Sequence, residues 1–82
     1  MQRVEWSEPA AADMASLERS IANRISKAVE RFADSGLGDV KKLQGVDPVT
    51  LRLRVGDYRV FFRDRGESIR VVGVRNRREA YR

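Results

Sequence analysis

Residues 51–63 constrain this chain more than any other stretch. In Leu51-Arg52-Leu53-Arg54-Val55 the apolar residues take odd positions and the arginines even ones, the period-two alternation of a strand with one buried and one charged face. Gly56-Asp57 follows, a two-residue turn with glycine at the position where a tight hairpin needs positive φ. Residues 58–63 continue the alternation, sending Tyr58, Val60 and Phe62 inward and Arg59, Phe61 and Arg63 outward. The hairpin therefore gathers Arg52, Arg54 and Arg59, from adjacent strands, into one patch. Like charges held so close repel one another, so the patch lowers the stability of the free protein and persists most easily where an anion binds it.

The flanking sequence supplies what covers the apolar side. Residues 64–67 read as a turn and residues 68–75 as the last strand of a three-stranded antiparallel meander, with its alternation broken by a bulge near Gly73. At the other end, residues 3–6 place Val4 and Trp6 on one side of a short first strand. Ser7 is positioned to cap a helix, with Glu8 and Pro9 in its first turn, which predicts a helix over about residues 9–17. Between residues 18 and 34, Ile21, Ile25, Ala28, Val29 and Phe32 recur at the spacing of an amphipathic helix, closed by Ser35-Gly36 and Gly38. From there to Pro48 the chain reads as a connecting loop carrying Lys41-Lys42. Strand, two helices, then three antiparallel strands make an α+β fold with both helices on one face of the sheet and the other face left for function. Trp6, Phe32, Tyr58 and Phe62 belong to the core.

Charge narrows the function. The net charge is +5, but the first 48 residues hold 7 basic and 8 acidic side chains, whereas the last 34 hold 10 basic and 4 acidic, and all ten basics are arginine. Planar guanidinium groups match phosphate oxygens with two parallel donors, so a polyanion, nucleic acid above all, is the leading partner class. A solvated arginine-rich sheet face is the plainer reading of the same charges. With no cysteine and no histidine, no disulfide, metal site or cofactor is expected, and the usual general base of a ribonuclease is missing. The chain has 82 residues, 41% of them apolar and 35% charged. We expect one domain, residues 1–82, near the lower size limit for an independent core and receptive to a stabilising partner. No leader-like run opens the chain and no apolar stretch nears the roughly 18 residues a membrane crossing needs, so a soluble cytoplasmic protein is expected, without membrane association.

Three segments together carry a family likeness: residues 38–45 (GDVKKLQG), residues 51–62 (LRLRVGDYRVFF) and residues 74–82 (VRNRREAYR). They closely resemble the RelE/ParE family of bacterial toxins from type II toxin–antitoxin systems, and the likeness in element order and length spans nearly the whole chain. The resemblance implies a toxin neutralised by a tightly bound cognate antitoxin in a hetero-oligomer. In the RelE branch it implies a ribosome-dependent endoribonuclease that cuts mRNA by attack of a ribose 2′-hydroxyl on the adjacent phosphate. Such chemistry needs a group to take the 2′ proton, donors for the dianionic phosphorane, and an acid for the leaving oxygen. By position, Arg59 matches the family's strand arginine at the scissile phosphate. Arg52 stands where RelE-like members place a catalytic lysine. Arg77 matches the arginine of the C-terminal motif, and Tyr81 the tyrosine that stacks on a base and takes part in proton transfer. Arg75 is a second candidate beside Arg77. Thr50 and Asn76 depart from the pattern, standing where active members have a lysine and a histidine.

Each candidate has a structural alternative. Tyr81, favoured as a phenolate beside Arg59 and Arg77, is the candidate base; it can equally be a tyrosine that only packs on the sheet. Arg52 and Arg59 can pair with Asp57 or Glu67, and such exposed pairs contribute only about 0–1 kcal/mol. Arg54, Lys41 and Lys42 are candidates for RNA-backbone contact, or simply solvated. Phe61, outward by alternation, can stack on a base or lie under a loop or the antitoxin. An apolar strip over the helical side or a sheet edge is expected to receive the antitoxin. The same fold also serves the ParE-type activity, which inhibits DNA gyrase without cutting RNA, and a degenerate member would only bind RNA or its antitoxin.

Overall fold

The computed structural model describes residues 1–77. Seven elements follow in order: β1 (Arg3–Trp6), α1 (Glu8–Ala15), α2 (Arg19–Ser35), β2 (Asp39–Lys42), β3 (Leu51–Val55), β4 (Tyr58–Asp64) and β5 (Ser68–Asn76). The five strands form one mixed sheet in the order β1-β5-β4-β3-β2, with β1 parallel to β5 and the other pairs antiparallel. The α+β arrangement and its central meander thus match expectation.

Local chemistry explains the boundaries. The Ser7 hydroxyl accepts the Ala10 N–H at 3.2 Å and starts α1, satisfying a donor the helix cannot. The helix stops at Ala15 rather than near Leu17, where the Ser16 N–H turns back to the carbonyls of Ala12 and Asp13. α2 ends at Gly36, whose φ of 74° is the left-handed conformation glycine adopts without penalty. Gly56 opens the β3–β4 hairpin with φ 58°, and Asp57 after it keeps φ negative, the pattern of a type II′ turn.

α2 packs on β1 and β3, and α1 on β5. Ile25, Val29 and Ala33 form the buried stripe of α2 against Leu53, Val55, Val60, Phe62, Ile69, Val71 and Val74 of the sheet. Phe62 is 1% exposed and meets Phe32 with ring centroids 5.1 Å apart at 57°, a tilted contact that aromatic quadrupoles favour. Trp6, Tyr58 and Phe32 are half-buried at the edge of this core. Between β4 and β5 the register passes from Phe61 opposite Gly73 to Phe62 opposite Val71, so Val72 is the extra residue of a bulge.

One expectation fails. Residues 39–42, read as loop, are the edge strand β2. Only Val40 of the four reaches the core face, opposite Leu53, so no alternation of apolar residues marked the strand; the hydrogen-bonding edge of β3 made it. Its presence turns β3 from an edge into an interior strand.

Candidate nucleic-acid interface

The face of the sheet away from the helices is the arginine face. Arg54 stands directly opposite Arg59, Arg52 opposite Phe61 and Lys41, and Arg59 opposite Arg75. At the β2 end of this face a groove of about 310 Å³ is lined by Lys41, Lys42, Leu43, Gln44, Arg52, Arg54 and Arg59. Five cations from three neighbouring strands therefore share one concavity. Alternation sends Arg52, Arg54 and Arg59 to one face, where the hairpin turn fixes their register. Pairing with β3 adds Lys41 opposite Arg52; Lys42, the last residue of β2 and opposite Leu51, joins from the end of its strand.

The members of this group differ in freedom. Arg54 is exposed and Arg59 half-buried. Arg52 lies on this face as alternation predicted, but is only 8% exposed. Its stem is covered because β2 on one side and Phe61 of β4 on the other flank it, the usual way a long cationic side chain buries its methylenes while keeping its head polar. Its guanidinium Nη2 lies 3.7 Å from the Asp39 carboxylate, an acidic residue that sequence reading passed over as loop. Phe61 is half-buried beside it.

Two further positions, Arg75 and Arg77, fall away from the groove lining. Arg75 is held elsewhere: its Nη1 donates to Asp13 Oδ2 at 2.6 Å and to the Val74 carbonyl at 2.9 Å. Arg77, exposed, follows β5, and its N–H donates to the Asp57 carbonyl at 2.6 Å, anchoring it beside the hairpin turn. Tyr81 lies outside the described residues. Arg63 also faces this side, opposite Arg70, and its Nε is buried without a hydrogen-bond partner among the described residues. Alternation had placed Arg63 outward, and that was the only signal of it.

Such an arrangement can bind and polarise phosphate groups, since guanidinium keeps its charge at every relevant pH. A second groove, of about 540 Å³, lies on the helical side, where Lys27 and Arg31 of α2 and Arg54 rim a floor made by Ala28, Leu37 and Leu53. Arg54 borders both.

The sequence pattern of the family described as ParE toxin of type II toxin–antitoxin system, parDE, matches residues 4–81. The chain belongs to that family. The toxin's fold is also that of solved relatives. A chain of the RelB–RelE antitoxin–toxin complex from Methanococcus jannaschii is 25% identical, with a TM-score of 0.75 over 94% of each chain. The RelE–RelB complex from Pyrococcus horikoshii gives 23% identity and 0.73, covering 93% of this chain and 94% of that one. The DinJ–YafQ complex from E. coli gives 14% and 0.77 over all of both chains. Comparison with curated proteins gives no match. Among the described residues no helix is long and apolar enough to cross a membrane.

Proposed function

We propose that this toxin is an endoribonuclease that cuts messenger RNA held on the ribosome, and that a cognate antitoxin neutralises it in a hetero-oligomeric complex. The observation that carries this reading is the convergence of Arg52, Arg54 and Arg59, with Lys41 and Lys42, on one groove. A surface that only meets another protein has no need of so dense a set of phosphate-matching groups.

In the reaction the ribose 2′-oxygen forms a bond to the adjacent phosphorus and the bond from phosphorus to the 5′-oxygen breaks. The 2′ proton leaves to the base, and the 5′-oxygen gains one from the acid. The products are a 2′,3′-cyclic phosphate and a free 5′-hydroxyl. Arg59 and Arg52 stabilise the charge that builds on the phosphorane oxygens. Arg77 is the third donor, and Tyr81 is the proton-transferring group that stacks on a base. Lys41, Lys42 and Arg54 hold the RNA backbone, and Phe61 offers a ring to a base. Arg75, already bound to Asp13, contributes least of the residues singled out in the sequence. A site without histidine leans on the ribosome to align the 2′-oxygen for attack, so cleavage of free RNA is weak. The site of action is the cytoplasm.

The match to the ParE pattern favours a second reading, inhibition of DNA gyrase by binding. Inducing the chain in growing cells while mapping 5′ ends of messages and assaying plasmid supercoiling separates the two. Codon-phased mRNA ends with normal supercoiling support the nuclease. Relaxed plasmid with intact messages overturns it in favour of gyrase.

A further inference from the structure

We propose that Asp39 is a resident counter-ion of the groove, occupying the anion position at Arg52 in the free protein and yielding it to an RNA phosphate. This rests on the RNA-binding reading above and adds to it a residue that restrains binding.

Three observations combine. The Arg52 side chain is only 10% exposed, while that of Asp39, at the first position of β2, is 58% exposed. A cationic side chain so largely covered, sharing its groove with Lys41, Arg54 and Arg59, is costly to keep charged without a nearby anion. Asp39 is that anion, reached diagonally across the β2–β3 ladder, since its direct partner is Arg54. The separation of 3.7 Å is beyond hydrogen-bonding range, so attraction through space is all that joins the two groups. A phosphate can approach closer and engage the planar guanidinium with two donors. Exchange of Asp39 for phosphate therefore leaves Arg52 charge-balanced at every stage, while the carboxylate, facing solvent, moves away from the incoming anion. The consequence is a toxin whose grip on RNA of any sequence is held below what its cations alone would give.

The test is a double-mutant cycle read by anisotropy of a short fluorescein-labelled oligouridylate, titrated with the full chain from roughly 50 to 200 mM salt. Asp39→Asn is expected to bind about three- to five-fold tighter at the low-salt end, with a log–log salt slope steeper by about 0.7, the increment of one more effective phosphate contact on a single strand. In an Arg52→Gln background the same substitution is expected to lose that gain. Equal gains in both backgrounds overturn the assignment, because they would mean a general field effect. No gain in either also overturns it. Circular dichroism of each variant confirms folding, and Asp39→Ser removes the same charge if Asp39→Asn does not fold. If the unsubstituted chain and all variants fail to bind the oligonucleotide, the RNA reading itself falls; if the unsubstituted chain binds and only the Asp39 effect is missing, that reading stands.

Discussion

One oxygen of Asp13 on α1 accepts both the Arg75 guanidinium at 2.6 Å and the Val74 backbone N–H at 3.0 Å. The N–H belongs to β5 beyond the point where β1 stops pairing with it, since the β1 ladder ends at Trp6 opposite Val71. Asp13 thus replaces a missing strand, and it neutralises Arg75 opposite Arg59 on the sheet. Asp13→Ala is expected to cost about 1–3 kcal/mol, from the stranded N–H more than from the part-exposed ion pair. Asp13→Asn, which keeps an acceptor oxygen, is expected to cost less. Chemical denaturation of both variants checks the order.

The groove arginines separate by role. Arg54→Gln is expected to weaken binding of single-stranded RNA of every sequence alike and to reduce the salt slope by about 0.7. Arg59→Ala is expected to slow ribosome-dependent cleavage by about 10²–10³-fold, as loss of a transition-state donor does. Primer extension on translated message measures the second, and a cleavage rate unchanged in Arg59→Ala would remove that residue from the chemistry.

Tyr81→Phe keeps the ring and removes the proton. A fall in the cleavage rate of about 10²–10⁴-fold with unchanged RNA affinity is expected if the hydroxyl carries proton transfer. An unaltered rate assigns the residue to stacking.

Among the described residues Phe62 is the largest fully buried side chain, joined to Phe32 of α2. Phe62→Ala is expected to cost about 3–5 kcal/mol. In a domain of this size each kcal/mol moves the midpoint by about 4–8 °C, so the free variant should be largely unfolded at growth temperature, as thermal melting by circular dichroism would show.

At Gly38 the backbone has φ 154°, and a Cβ would meet Leu53 Cδ1 at 2.7 Å. Gly38→Ala is expected to destabilise by about 1–3 kcal/mol and to disturb the adjoining Asp39 and β2. Hydrogen exchange at Val40 and Leu53 would report it, with faster exchange there than at Ile69 as the expected result.

The elements with strong periodicity were legible from residues alone. Alternation over residues 51–55 and 58–63, the Ser7 cap and the apolar stripe of α2 each follow from local chemistry, because a period of 2 or 3.6 decides which side chains can be buried together. The same alternation foretold the meeting of Arg52, Arg54 and Arg59, since register and facing are set by the hairpin turn between them. Asp39–Lys42 carries no such period, and it became a strand only because β3 offered it an unpaired edge. That long-range pairing buried Arg52, brought Asp39 to it and drew Lys41 and Lys42 into the groove; Asp13 took Arg75 in the same way, across 62 residues. Local spacing determines which face a side chain takes. Which opposite charge it then meets depends on strands and helices distant in sequence, and only tertiary structure decides that.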